Sequence, residues 1–303
     1  MKKLYTLLAL TITFSMNAQM EDNSSDTSAT GSNAVAMGEG TTASAESSTA
    51  MGEGTSASGD YSVAMGIATT ASGGSSTAMG YSTTSSAQAS TAMGYGSTAS
   101  GIRSFAGGLY TVASGGGSFA FHSGTTASGT NSTALGRVTV ASDYASVVIG
   151  QYNSSGSSAT SANSFSTSAP AFVIGNGTSG NLSDAFKVMF NGDTTVSNDL
   201  TVIGDVVISS DARLKSNIVS LGSTLPKLLQ IDGKSYEMKG QQKIGVLAQE
   251  IQEVFPELVS EDDNEMLAVN YQGLVPILIN ALKEQDEKIN RLEKLVEKMV
   301  SKQ

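Results

Sequence analysis

The chain has 303 residues, with 33 Gly, one His, no Cys, no Trp and a formal net charge of −10. Lacking cysteine, it has no thiolate nucleophile, no cysteine-ligated zinc and no disulfide staple. The acidic balance, without any basic cluster, argues against a nucleic-acid partner, and the lone His122 rules out a histidine-rich metal site. No cofactor or metal is expected.

In chain order, "MKKLYTLLALTITFSMNAQ" sets two lysines before an apolar run that ends in small and polar residues. Residues 1–19 therefore read as a secretory signal peptide, with cleavage near Ala18 or Gln19, followed by a linker over 20–34. No later stretch reaches the roughly 20 apolar residues of a membrane helix. The expectation is an exported protein, secreted or on the exterior of the bacterial outer membrane, with no membrane span in the mature chain. The missing cysteine also removes the residue a lipoprotein anchor needs.

From Val35 the chain repeats every fourteen residues: "VAMGEGTTASAESS", "TAMGEGTSASGDYS" from Thr49, "VAMGIATTASGGSS" from Val63, and onward to "TALGRVTVASDYAS" from Thr133. A decaying ninth copy opens with "VVIG" at Val147. Each unit holds two short runs, "xAMG" and "TxASG", too short for a helix pair and strand-like in their alternation. Such units stack as the coils of a β-solenoid, and eight coils at about 4.8 Å each give a rod of roughly 40 Å. Gly at 38, 52, 66, 80, 94, 108, 136 and 150 marks a turn that needs positive φ or close backbone approach. Ala and Met are expected on the inner side, and His122, which breaks the Gly column, is expected to be a tolerated surface substitution. So thin a core calls for oligomerisation.

The repeats over 35–150 resemble the head repeats of YadA-like trimeric autotransporter adhesins. That resemblance implies a left-handed parallel β-roll in a trimer and a surface-binding role toward a cell-surface, matrix or glycan ligand. One departure stands out: those adhesins end in a membrane β-barrel, whereas this sequence ends in a charged helix.

"GNGTSG", Gly175 to Gly180, matches the dinucleotide fingerprint formally, but "NLSDAFKVMFNGDTTV" follows it as a strand, an Asn191-Gly192 turn and a strand, not as a helix. Residues 151–208 read as a β-rich connector, with a last pair of short strands in "DLTVIGDVVI". The carboxylates of the head, Glu39, Glu46, Glu53, Asp60 and Asp143, are scattered on turns and do not suggest the facing pair of a glycosidase.

Beyond Asp211 the composition becomes that of an α+β unit. "KIGVLAQEIQEVFPELV" reads as a strand and a short helix that Pro256 ends or kinks. A long helix follows, with a coiled-coil seam over about 275–300: Val275, Leu282, Ile289 and Val296 at a, and Leu278, Gln285, Leu292 and Met299 at d. The heptads alone leave dimer and trimer open. At the junction, "SSDARLKS" permits two readings. It is a helix start capped by Ser or Asp with solvated Arg213 and Lys215, or it is a serine paired with a lysine whose pKa burial has lowered, so that the neutral amine can take the hydroxyl proton.

"SSDARLKSNI", "YEMKGQQKIGVLAQEIQEVFPELV" and "VNYQGLVPILINALKEQDEKINRLEKLV" together resemble the intramolecular chaperone auto-processing domain of phage endosialidases and tail spikes. The resemblance covers 209–303. It implies a trimeric domain that helps the upstream fibre fold and then cuts itself off with a Ser-Lys dyad, a single intramolecular proteolysis with no external substrate. By motif the nucleophile is Ser210, the general base is Lys215, and the scissile bond is Ser210-Asp211. Arg213, which orients the turn or pairs with a carboxylate, and Gln249 and Glu250 of "AQE" are candidate supporting residues. The alternative is a non-cleaving adhesin with a permanent trimerisation foot.

Overall fold

The computed structural model describes residues 20–21, 26–262 and 265–301, so the signal peptide expected over 1–19 lies outside the described residues. The chain divides into two compact units, Met1–Gly204 and Asp205–Gln303.

The first unit is a parallel β-solenoid. Each repeat gives one long strand, such as Val63–Ile67, and one short strand, such as Thr70–Ala71. Long strands pair in exact fourteen-residue register (Ala64 with Ala78, Met65 with Met79, Gly66 with Gly80) and form a thirteen-stranded sheet. Short strands form a parallel nine-stranded sheet facing it. Equal register in both sheets lets every side chain stack on its counterpart one coil away, so a column tolerates only residues that fit the same slot.

Two expectations need correction here. The segment 20–34 is not a bare linker: Met20–Glu21 pairs with Val35–Ala36, and Ser28–Ala29 pairs with Thr42–Ala43, so both ladders begin before Val35. The methionines do not face inward either. Ala at 36, 43, 50, 57, 64 and 71 is fully buried, and Thr and Ser columns such as Thr41, Thr55, Ser48 and Ser62 share that interior, whereas Met37 is 41% exposed. Strand alternation decides this, because Met stands one residue beyond the inward Ala and so points to the other face. That outer face carries an apolar column of Met51, Met65, Met79, Phe121 and Leu135, each half-buried or exposed.

The expected Gly column is observed. Gly66 and Gly80 have φ of 123° and 121°, and a Cβ on either would lie 2.0 Å from the next coil's carbonyl oxygen. His122 sits in this column with φ 94°, exposed and with its ring edge-on to Phe121 at 4.6 Å.

The large sheet continues past the repeats. Pro170–Asn176 adds parallel to Val147–Gln151, then Asp184–Met189 and Thr194–Val196 add antiparallel around Asn191-Gly192. "GNGTSG" therefore leads from a strand into an isolated bridge between Thr178 and Asn181, not into a helix that would receive a phosphate. The strand pair expected in "DLTVIGDVVI" is not formed: residues 199–210 have no regular structure. Their polar breaks (Asp199, Gly204, Asp205) interrupt the alternation a ladder strand needs.

In the second unit, Lys234–Met238 and Gln241–Gly245 form a hairpin through Lys239 and Gly240, both at positive φ as a tight turn requires. The helix Ala248–Val254 stops before Pro256, and Leu274–Val300 forms the long terminal helix. Ile251, Phe255, Leu258 and Ile277 make the core.

Candidate functional site

The stretch around Ser210 is built by one tight turn. Asp211 caps a 3-10 turn, Ala212–Leu214: its Oδ1 accepts the N–H of Arg213 at 2.8 Å, and the N–H of Lys215 donates to the carbonyl of Ala212 at 3.1 Å. The cap is thus Asp211, and the turn stops at Lys215, which is already extended (φ −122°, ψ 145°). No α-helix follows until Leu225–Leu228, so the helix start allowed by the sequence is reduced to one turn.

That turn folds the chain back on itself. Nζ of Lys215 lies 2.7 Å from Oγ of Ser210 and donates to it. Arg213 grips Asp211 with a fork, Nε to Oδ1 at 3.0 Å and Nη2 to Oδ2 at 2.7 Å. The guanidinium hydrogen bonds hold the Asp211 carboxyl below the usual aspartate range and raise Arg213 in turn. The result is a serine–lysine contact beside a fixed carboxylate, all within one short stretch of chain.

All of these residues are exposed, and so are the apolar residues around them: Val207 at 89%, Leu214 at 72% and Val219 at 82%. A lysine takes a proton from a hydroxyl only in its neutral form, which burial favours. Ser210 and Lys215 are therefore in contact but open to solvent.

Gln249 and Glu250 are placed elsewhere in the unit. Glu250 accepts from Nζ of Lys234 at 3.2 Å and from the N–H of Asp232 at 3.3 Å, tying the hairpin to the helix. Gln249 is exposed at the rim of a cavity of about 330 Å³, lined also by Tyr236, Leu267 and Tyr271 but not by Ser210 or Lys215.

One anchor was missed from sequence. The carboxylate of Glu284, on the terminal helix, accepts from Oγ of Ser223 at 2.7 Å and from the N–H groups of Thr224 and Leu225. These bonds hold Glu284 below the ordinary glutamate range and fix the end of the exposed segment to the core. The signal was a Ser-Thr pair before Leu-Pro, a helix-start pattern whose capping carboxylate comes from far along the chain.

Parts of each unit are similar to known families. Residues 210–260 match the family described as the chaperone of endosialidase. Residues 29–55, 57–83, 85–111 and 127–153 match the YadA head domain repeat. The long tail fiber protein Gp37 of Escherichia phage AR1 is 36% identical over 96 residues, which is 28% of this chain and 9% of that protein. Its counterparts in Enterobacteria phages K3 and T2 are each 34% identical over 100 residues, 29% of this chain and 8% of theirs. The match thus spans less than a tenth of the length of these fibers. The stretch similar to the YadA head repeat thus ends at residue 153 and the stretch similar to the endosialidase chaperone begins at Ser210, and no helix among the described residues is long and apolar enough to cross a membrane.

Proposed function

We propose that this chain is an exported, homotrimeric surface fibre whose C-terminal module assists folding and trimerisation, then releases itself by cutting at Ser210-Asp211. The observation that carries the reading is the 2.7 Å contact between Lys215 and Ser210, at the first residue of the chaperone match and six residues past the boundary between the two units (210 − 204 = 6).

Two faces support self-association. The terminal helix packs on its own core through Ile277 and Ala281, while Val275, Leu278, Leu282, Ile289, Leu292 and Val296 of the a/d seam all remain exposed. The outer apolar column of the solenoid is partly exposed as well, with Met37 at 41% and Phe121 at 38%. Association of three copies would raise the local concentration of fibre strands and set their register. It would also bury the apolar segment around the dyad.

The chemistry follows. Neutral Lys215 takes the proton of Ser210 as Oγ adds to a peptide carbonyl; the C–N bond breaks and Lys215 returns the proton to the leaving amine of Asp211; water then hydrolyses the acyl-serine ester. Only Cβ and Cα separate Oγ from its own residue's carbonyl carbon, so attack within the residue would close a strained four-atom ring. The Ser210-Asp211 bond of one copy is therefore cut by a neighbouring copy's Ser210, so the release takes place within the trimer and not, as the resemblance implies, within one chain.

Intact mass of the purified protein tests this: a C-terminal fragment of 93 residues (303 − 210) is expected. A single uncut species would instead favour the permanent trimerisation foot, the reading to which the exposure of both dyad residues lends weight.

A further inference from the structure

The two sheets of the solenoid end differently. In eight successive coils the first residue of the short strand donates its N–H to the carbonyl thirteen residues on, from Ser28 to Thr41 through Thr126 to Thr139, at 2.8–2.9 Å. The acceptor residue is Thr or Ser every time: Thr41, Thr55, Thr69, Thr83, Ser97, Thr111, Thr125 and Thr139. At the ninth coil the same register falls on Asn153, and the backbone bond is gone. The N–H of Val140 donates instead to Oδ1 of Asn153 at 2.8 Å, and Nδ2 of Asn153 donates back to the carbonyl of Val140 at 2.9 Å and to that of Ser155 at 2.7 Å. One carboxamide thus offers Val140 the acceptor and the donor that a tenth strand's peptide groups would have offered, while the N–H of Ser142 still reaches a backbone carbonyl, that of Gly156, at 3.0 Å. Asn153 is 1% exposed.

Two carboxylates finish the same end. Asp143 occupies a corner that is Gly or Ala in every earlier coil, and its Oδ1 accepts the N–H groups of Thr160 and Ser161, both at 2.6 Å. At the glycine corners the next rung's backbone fills this space: a Cβ on Gly129 would lie 2.1 Å from the carbonyl oxygen of Asp143. A larger residue fits at 143 because no further coil stacks there. Asp184 accepts the N–H groups of Ser154 and Ser155 at 2.9 and 2.8 Å, pinning the loop that replaces the missing strand.

We propose that Asn153, with Asp143 and Asp184, is a built stop: its side chain supplies the two hydrogen bonds that a tenth short strand would give Val140, the loop backbone at Gly156 takes the N–H of Ser142, and together they close the sheet edge against a strand from a second copy. An open parallel edge of this regularity would be a template for end-on association. Threonine at this position keeps the repeat's residue type but removes the carboxamide, so with the loop backbone held in place by Asp184 the Val140 N–H loses its partner. Aspartate would keep an acceptor for the Val140 N–H but set oxygen against the Val140 carbonyl.

Hydrogen exchange and sedimentation velocity on the full-length Asn153→Thr and Asn153→Asp variants test the stop. In dilute Asn153→Thr, exchange at the Val140 amide should rise about tenfold to a hundredfold, while the amides of Thr70 and Thr84 keep their wild-type protection. At higher concentration this variant should form species heavier than wild type. Asn153→Asp should leave the Val140 amide better protected than Asn153→Thr does. Unchanged exchange at Val140, deprotection spread through all coils, or an open edge without new association would each overturn the proposal.

Discussion

At Ser210 the decisive quantities are a distance and an environment. Substituting Ser210→Ala or Lys215→Ala should leave only the full-length chain on a denaturing gel; normal cleavage in both would remove the dyad. Arg213 acts on a different group. The folded Asp211 carboxyl is held below its unfolded value, so the pairing is fully present above the ordinary aspartate range, near pH 4, and is lost as pH falls through the lowered value. In Arg213→Ala, an NMR titration of Asp211 should therefore move its midpoint upward, and an unmoved midpoint would show that the fork does not act in solution. His122 gives a third test at this scale. An L-residue at φ 94° in a glycine column is strained, so His122→Gly should stabilise the solenoid by about 1 kcal/mol in denaturant unfolding. A lower midpoint would mean that the contact with Phe121 outweighs the strain.

Among the elements, the coil is what the sequence spells most clearly. A fourteen-residue period with Gly in phase leaves few alternatives to stacked rungs, and the Gly column has its positive φ at Gly38, Gly52, Gly66 and the rest. Which face the Met column took was legible too, but only by counting alternation from Ala and not by ranking hydrophobicity, which would put Met inside. The ends of the ladders were not legible, because Met20–Glu21 and Ser28–Ala29 join by backbone pairing without the full repeat. At the junction, the spacing of Ser210 and Lys215 allowed their contact. The capping Asp211 and its Arg213 fork follow from local turn chemistry, while the Glu284 anchor is sixty residues from Thr224 and leaves no local trace. Glu284→Ala should free the start of Leu225–Leu228. Its carboxyl also sits below the ordinary glutamate value, so in the wild type the anchor is present above that value and released as pH falls through the lowered one. Proteolysis after residue 221 that accelerates in Glu284→Ala would confirm the tether; equal rates would dismiss it.

For the whole molecule, the proposed assembly and the proposed cut would be coupled by burial. In one copy the serine and lysine touch but stay in water, and the seam of the terminal helix is open, with Leu282 at 69% exposure. Charges at two seam positions, Leu282→Glu with Ile289→Glu, should disperse the assembly in light scattering and abolish cleavage with it, although neither residue touches the dyad. Cleavage by dispersed single copies would sever the two. The geometry of the serine demands more, since its oxygen has no unstrained route to its own carbonyl carbon. In assemblies mixed from wild-type and tagged Ser210→Ala chains, the tagged chain should be cut at the bond preceding Asp211 by the serine of a wild-type neighbour. If the wild type is cut while the tagged chain stays whole, each serine acts only on its own chain, and the bond it breaks is then Ser209-Ser210, whose carbonyl it reaches through a five-atom ring. If neither chain is cut, the module is a permanent foot and the contact at Ser210 is no more than a capped turn.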